Sequence, residues 1–316
     1  MSSVDTKASI RALVRGAYDI QKLRIQAGNR IVTNFKAKLG QVAGSSEEEL
    51  EAVERTLLAD LRNRYKKLAH AISKRKKQTE FKGDAVISSA TEFFLIGEYL
   101  ALESAEEGHF KQLERTLKGV PIWSRYLSGV KGIGPALAGV LISEIDIARA
   151  RYPSSLWKYA GLDVAGDGRG RSRRAEHLVT VSYTNGKGTP DTRQSITFNP
   201  FLKTKLMGVL ASSFLRSANE PYAAIYADYK HRLESNPVHQ EKSKGHRHNM
   251  ALRYMLKMFL VDLYREWRAL EGLTVSAPYA EGKLGMHHAV LVQKPNVVER
   301  ANPRKPPTIS ERAKTL

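Results

Sequence analysis

Apolar residues recur three or four positions apart over most of this chain, which predicts a mainly α-helical protein. Between residues 8 and 40 the apolar positions alternate with basic ones at helical spacing. Ser46 before three glutamates predicts a second helix, because Ser46 can cap it and Glu49 can complete a capping box. Asn199 before Pro200 predicts a helix start of the same kind. The same period predicts further helices over residues 85–117, 222–233 and 249–270.

One segment departs from the helical period. Apolar and polar residues alternate in steps of two around Asn185-Gly186, between about residues 177 and 198. Period two around an Asn-Gly pair is typical of a β-hairpin. We therefore expect a small β-hairpin inserted in an otherwise helical protein, where such a ribbon could touch nucleic acid.

The helices divide the sequence into three predicted parts. Residues 1–118 form a long-helix domain, and Gly119-Val120-Pro121 marks its end. Residues 121–272 form a second helical domain, and residues 273–316 an extended basic tail. Because the apolar stripes of the long N-terminal helices need a partner, we expect a homodimer formed through them.

Composition narrows the functional classes. The chain of 316 residues holds 51 Lys and Arg against 32 Asp and Glu, a formal net charge of +19. It has no cysteine, which excludes disulfides, thiolate metal sites and cysteine nucleophiles. No apolar run approaches the roughly 20 residues that cross a bilayer. We therefore expect a cytoplasmic, nucleoid-associated protein without a membrane partner, which binds DNA or structured RNA.

The segment from Trp123 to Ile145 predicts a helix-hairpin-helix. Gly132 and Gly134 permit a tight turn, and Pro135 suits the first turn of the helix that follows. The backbone N–H groups of such a turn can bind a phosphate without reading base sequence, and Lys131 adds a positive charge. A plain turn between two helices, which also requires glycine, is the alternative.

Three further groups of basic residues are candidate phosphate contacts. The Gly/Arg-rich stretch 166–174 carries four arginines, whose guanidinium groups match phosphate oxygens in pairs. The helix after Asn199 and the basic stretch 61–82 supply the other two groups. A flexible solvated loop is the alternative for 166–174, and a solvated helix end is the alternative for 61–82. The candidate residues are Arg169, Arg171, Arg173, Arg174, Lys203, Lys205, Lys74, Arg75, Lys76 and Lys77.

The order of these features resembles a known family. The sequence runs from Gly132-Ile133-Gly134-Pro135 through a helix ending at Glu144 to Tyr159-Ala160-Gly161-Leu162, then the arginine-rich loop and a basic, apolar helix. Over about residues 121–270 it resembles the C-terminal transposase domain of the DEDD-type insertion-sequence transposases. These enzymes are related to Piv-type DNA invertases, and some are guided by a structured bridge RNA.

The resemblance implies a nucleic-acid-binding protein of mobile-element origin. The family's other half is a RuvC-like nuclease with four metal-binding acids on an α/β sheet, whereas the N-terminal region here is helical and carries no such strand. The family places a nucleophilic serine in the loop after the Tyr-Ala-Gly-Leu segment, and Ser172 is the nearby hydroxyl here. The resemblance therefore implies DNA or RNA binding without an intrinsic nuclease centre.

Two enzyme hypotheses stay open beside binding alone. The first is an active transposase or recombinase that uses Ser172 as nucleophile or takes its metal site from a partner. The second is a helix-hairpin-helix DNA glycosylase, in which Asp163 downstream of the hairpin would act. We expect no cofactor, with Mg²⁺ needed only if the protein is catalytic.

Overall fold

The computed structural model describes residues 3–42, 46–60 and 87–278. Within these ranges the protein is mainly α-helical, with one two-stranded antiparallel sheet, as the sequence predicts. The basic residues Lys74, Arg75, Lys76 and Lys77 and the tail beyond residue 278 lie outside the described residues. The residues up to Pro278 belong to one compact unit.

Two long helices run antiparallel in the N-terminal part. Helix α1 spans Ser3–Lys38 and helix α3 spans Ala90–Leu117, with a shorter helix α2 over residues 52–60. Gly16 of α1 lies against His109, and Gly28 lies against Tyr99, which comes earlier in α3. Since a side chain at either glycine would crowd its neighbour, both glycines allow the two helices to approach closely.

The predicted start of α2 at Ser46 is wrong. Ser46 caps only a 3₁₀ turn, Glu47–Glu49, by accepting a hydrogen bond from the backbone N–H of Glu48. Leu50 then adopts an extended conformation, and its side chain is buried. Burial of Leu50 therefore interrupts the helix that the three glutamates favour. The capping box instead occurs at the start of α3, between Ser89 and Glu92.

The central helix α5 joins this pair to the rest of the fold. Helix α4 spans Pro121–Arg125 and α5 spans Pro135–Glu144, whose residues from Leu137 onward are all buried. A Cβ at Gly139 would come within 3.0 Å of Val14 in α1 and Leu113 in α3. The N-terminal helices therefore contact the predicted second domain directly, and the predicted boundary at residue 119 stays a prediction.

The contact between α1 and α5 bears on the predicted homodimer. Ile10, Val14 and Ala17 of α1 are buried within the chain itself. This part of the apolar stripe thus already has an intramolecular partner, whereas Leu23 further along α1 is exposed. The homodimer stays a prediction.

The remaining elements surround the C-terminal helix. Helix α6 spans Pro153–Tyr159, β1 Val179–Thr184, β2 Pro190–Ser195, α7 Pro200–Lys205, α8 Ala211–Arg216, α9 Glu220–Ser235 and α10 Lys244–Leu270. A π-helical turn, Leu206–Leu210, makes α7 and α8 continuous. Asn199 caps α7 through the N–H of Leu202, as predicted. Strands β1 and β2 pair antiparallel around Asn185-Gly186, which confirms the predicted hairpin.

An aromatic cluster anchors α10. The rings of Phe214 and Tyr222 stack with centroids 4.7 Å apart, and Phe259 of α10 meets both rings edge-on. The hydroxyl of Tyr222 donates to Asp262, 3.0 Å away. Burial raises the pKa of Tyr222, and the charge of Asp262 contributes. This tyrosine is therefore part of the core rather than of a base-stacking surface.

Candidate nucleic-acid interface

The arginine-rich loop is an ordered turn held by one ion pair. The side chain of Arg171 binds Asp163 through two nitrogens, with Nη2 2.8 Å from Oδ2. The backbone N–H of Arg171 donates to the carbonyl of Asp163 at 3.0 Å, and Val164 forms a β-bridge with Gly170. Gly168 has φ +75°, so the tip requires a conformation that side chains rarely adopt. This geometry assigns Asp163 to holding the loop.

The other three arginines of the loop project outward. Arg169, Arg173 and Arg174 are exposed. Across residues 3–42, 46–60 and 87–278, none of these three side chains forms an ion pair with a carboxylate, and the charge of Arg169 acts on Asp167 from a greater distance. Their charges therefore remain available to a polyanion, whereas the charge of Arg171 is offset by Asp163.

Ser172 lies beside a histidine that in turn contacts a carboxylate. The Oγ atom of Ser172 is 2.9 Å from Nδ1 of His177, and Nε2 of His177 is 3.1 Å from Oδ2 of Asp167. The imidazole is almost fully buried, with 1% of its side chain exposed, while Asp167 is 36% exposed. A hydroxyl, an imidazole and a carboxylate in this order form the constellation that activates serine nucleophiles.

The hydrogen bonds fix the histidine tautomer. The backbone N–H of Ser172 also donates to Nδ1 of His177, at 3.0 Å, so Nδ1 carries no proton. The proton of the neutral ring therefore sits on Nε2 and points at Asp167. The backbone N–H of Arg169 donates to Asp167, and this bond, followed by the bond to His177, lowers the pKa of Asp167. The backbone N–H and the hydroxyl of Ser172 therefore share Nδ1 as their acceptor, so the hydroxyl lies within reach of a nitrogen that carries no proton.

Two lysines of α7 occupy different surroundings. Lys203 donates to the carbonyl of Arg171 and lies 4.5 Å from the centre of the Phe198 ring. Lys205 lies 3.2 Å from the centre of the Tyr18 ring in α1. Burial lowers the pKa of both lysines, that of Lys203 to about 8. Of the two, Lys203 is therefore the one that adjoins the arginine-rich loop.

The same loop contacts α10. A Cβ at Gly170 would lie 2.6 Å from Nη1 of Arg253. Lys257, one turn further along α10, lies 5.5 Å from the centre of the Trp157 ring, and the indole N–H of Trp157 donates to the Lys257 carbonyl. The helical period predicts a basic outer face of α10 at Arg253, Lys257, Arg265 and Arg268. That prediction is wrong, because Arg253 and Lys257 are half-buried against the loop and α6, and Arg268 is buried.

The predicted hairpin turn is present, but it lies away from the arginine-rich loop. Gly132 has φ +96°, and Ile133 between the two glycines is buried. Gly134 and Pro135 begin α5, as predicted. The carbonyl of Gly132 accepts from Ser213, and the carbonyl of Lys131 accepts from Asn219. Both carbonyls therefore face the end of α8, and the side chain of Lys131 is exposed.

The structure does not bring the two predicted phosphate sites together. The arginine-rich loop adjoins Lys203 near the start of α7, whereas the hairpin turn adjoins Ser213 and Ser217 near the end of α8. Since Ser217 lies 14 positions after Lys203, at the end of the continuous helix, the two sites lie about 20 Å apart. They form two separate contact points on one helix.

Sequence reasoning missed four residues of this region. His177 lies five positions after Ser172, and nothing in that spacing signals a contact. Asp167 resembles an ordinary loop acid, and Arg253 and Lys257 resemble the solvated side of an amphipathic helix. The one available signal was the distance of four residues between Arg253 and Lys257, which places both on one helix face.

Neither a metal cluster nor a membrane helix occurs in the part of the chain that the structure describes. No three His, Asp or Glu side chains there lie together as metal ligands. The helices of the same ranges lack the combination of length and apolar character that crossing a bilayer requires. Comparison of the chain with models of protein families, with curated proteins and with solved structures finds no match.

Proposed function

We propose that this protein binds nucleic acid through its phosphates, and that it is a mobile-element protein related to transposase C-terminal domains. The observation that carries the proposal is the exposed set Arg169, Arg173 and Arg174 on a rigid turn, none of which forms an ion pair within the described residues. A rigid turn loses little conformational entropy on binding, so its charges act together on a polyanion. The net charge of +19 favours the same partner.

The hairpin turn supplies a second contact about 20 Å along the α7–α8 helix. In the described part of the chain, the N–H groups of Gly134 and Ala136 have no acceptor at the start of α5. Lys131 next to them is exposed. Backbone donors with a neighbouring cation suit phosphate and carry no base preference. Two separated contacts favour recognition of a nucleic acid's shape over its sequence.

Fluorescence anisotropy on duplex DNA, a four-way DNA junction and a structured RNA tests this proposal. We expect submicromolar binding at low salt, with an affinity that falls steeply as salt rises. A junction or RNA that stays bound at a salt concentration that releases the duplex would support recognition of shape. Absence of binding to all three probes at low salt would contradict the proposal.

A second candidate function is strand transfer by Ser172, and the contact between Ser172 and His177 favours it. In this reaction Oγ of Ser172 attacks a backbone phosphorus and gives its proton to Nδ1 of His177. The bond from phosphorus to one strand oxygen breaks, and that oxygen leaves with a proton from His177 or water. The product is a phosphodiester between Ser172 and the other strand end, which a strand hydroxyl can later resolve.

Trapping of the covalent intermediate tests this candidate. End-labelled DNA is incubated with the protein and Mg²⁺, and denaturing gels then detect any DNA attached to the chain. We expect an adduct with the wild type and with the control Ser182→Ala, which removes an exposed hydroxyl from β1. We expect none with Ser172→Ala and at least a tenfold decrease with His177→Ala. An equal yield from Ser172→Ala would exclude this serine.

A further inference from the structure

Four cations surround a single shared carboxylate beneath the arginine-rich loop. Arg171 binds Asp163 directly, and the charge of Asp163 also acts on Lys203, Arg253 and Lys257. Three elements supply the cations, namely the loop, α7 and α10. Asp167 also acts on Arg171, so two carboxylates face four cations, and the cluster keeps an excess of positive charge in a half-buried position.

Of the four cations, Arg253 has a guanidinium nitrogen without a hydrogen-bond acceptor in the described residues. This nitrogen, Nη1, is buried. Its guanidinium lies against Gly170, where the lack of a side chain leaves room for it. Burial lowers the pKa of Arg253, which reflects the unfavourable environment of its charge. A buried, unpaired donor on a charged group is destabilising unless a partner supplies the acceptor.

The two lysines are held close to Arg253. Lys203 is fixed by its bond to the carbonyl of Arg171, and Lys257 lies over the Trp157 ring. Burial lowers the pKa of both lysines, and the charge of Arg253 lowers it further. Mutual repulsion of fixed cations is relieved when an anion binds among them.

We propose that Arg253, Lys203 and Lys257 form a pocket for one backbone phosphate of nucleic acid, beneath the loop that carries Ser172. This inference rests on the proposed function, because it names the group of the nucleic acid that the cluster takes. A guanidinium with a free donor and two ammonium groups match the oxygens of a phosphodiester. The pocket adjoins Arg171, the residue before Ser172, and would hold a phosphate on the loop side that faces α10.

The first test uses inorganic phosphate and the thermal stability of the full-length protein. Phosphate replaces chloride at constant ionic strength. We expect the melting temperature of the wild type to rise by several degrees at millimolar phosphate. Arg253→Met should lose this rise, while Arg115→Met, which removes an exposed arginine from the end of α3, should keep it. An equal rise for the wild type and Arg253→Met would overturn the pocket.

The melting temperature of Arg253→Met in chloride, without phosphate, distinguishes a binding role of Arg253 from a structural one. Because Nη1 of Arg253 has no acceptor within the described residues, Arg253→Met should melt at the same temperature as the wild type or higher. A residue that merely supports the fold would give the opposite shift. A lower melting temperature together with an intact phosphate effect would overturn the proposal.

A second variant moves the guanidinium without removing its charge. In Gly170→Ala the new Cβ would meet Arg253 at 2.6 Å, so the flexible end of that side chain must shift. The backbone at Gly170 lies outside the left-handed region, so the fold should tolerate alanine. We expect phosphate to bind several-fold more weakly to Gly170→Ala. Affinity equal to that of the wild type would count against the pocket.

Anisotropy with duplex DNA distinguishes failure of the pocket from failure of the proposed function. We expect Arg253→Met to weaken DNA binding about tenfold at fixed salt, while Arg115→Met binds as the wild type does. DNA binding that Arg253→Met leaves unchanged would overturn the pocket alone. Absence of DNA binding by the wild type would overturn the proposed function. If the wild type binds no DNA but phosphate still raises its melting temperature in an Arg253-dependent way, the pocket binds another phosphate-bearing ligand. That result would overturn the nucleic-acid assignment.

Discussion

At the scale of single residues, Glu144 links three helices through one buried carboxylate. Its side chain is 0% exposed, and Oε1 lies 2.7 Å from Nη2 of Arg15 in α1. Its second oxygen accepts from Asn199 at the start of α7, 2.6 Å away. Removing the charge leaves both donors without an ionic acceptor.

We therefore predict that Glu144→Ala lowers the free energy of unfolding by about 3 kcal/mol. The control Glu114→Ala removes an exposed glutamate from α3 and should change it by less than about 0.5 kcal/mol. Urea unfolding followed by circular dichroism measures both. Equal stability of the two variants would show that Glu144 is not the link.

Lys203 makes stability depend on pH in a defined direction. Burial lowers its pKa from 10.5 to about 8, with a contribution from the charge of Arg253. Between these two values the unfolded chain binds a proton at Lys203 that the folded chain does not. The contribution of Lys203 is therefore unfavourable below pH 8 and is relieved as pH rises toward 10.5.

Urea unfolding at pH 7, 8, 9 and 10 measures this effect as the difference in free energy of unfolding between the wild type and Lys203→Met. We expect the wild type to gain stability relative to the variant as pH rises across this range, because its charged amine is progressively neutralised. A constant difference, or one that changes in the opposite direction, would mean that Lys203 keeps an ordinary pKa.

Residue types alone predicted part of this site. The density of arginine in 169–174 made the loop a candidate, and the structure leaves three of its four arginines exposed. The pairing of Arg171 with Asp163 and of Ser172 with His177 depends on how the chain turns at Gly168. Short-range sequence patterns do not encode which polar side chains such a turn brings together.

At the scale of elements, the two glycines of the hairpin turn differ in what they require. Gly132 has φ +96°, and a Cβ there would lie 2.9 Å from Ser217 and 3.2 Å from Phe214. Gly134 has φ −95°, and a Cβ there would meet nothing within 4 Å. The sequence presents both as equivalent turn glycines.

We predict that Gly132→Ala destabilises the protein by about 2 kcal/mol, because strain and crowding add. Gly134→Ala should change the free energy of unfolding by less than about 1 kcal/mol. Chemical unfolding of both variants checks this. Two variants of equal stability would contradict the distinction.

The β-hairpin illustrates an element that the sequence predicts well. Period two and Asn185-Gly186 fix its strands, and contacts across it, such as that of Arg193 with the Tyr183 ring, are local. All residues of β1 are exposed, so the strand contributes little to the core. The start of α2 was mispredicted for the converse reason, since burial of Leu50 overrides the local capping preference.

We therefore predict that replacing residues 180–194 by a short Gly/Ser linker changes the free energy of unfolding by less than about 1 kcal/mol. The helical content, measured by circular dichroism, should be retained. A cooperative loss of helix in this variant would show that the hairpin supports the core after all.

At the scale of the whole molecule, helix content was predictable and helix packing was not. The 3.6-residue period identifies α1 and α3, but it does not show that both helices pack against α5 at Gly139. The cluster of cations could not be predicted for the same reason, because Arg253 and Lys257 are half-buried only through the approach of the loop to α10. Long-range contacts of this kind depend on the tertiary arrangement.

We propose that the exposed arginines of the loop contact nucleic-acid phosphates. The salt dependence of duplex DNA binding tests it most directly, with the wild type compared with the triple variant Arg169→Gln, Arg173→Gln, Arg174→Gln. Each lost phosphate contact should reduce the slope of log affinity against log salt by about 0.9. We predict a slope smaller by two to three in the triple variant, with its melting temperature unchanged. An identical slope in both proteins would mean that these arginines do not contact the DNA phosphates.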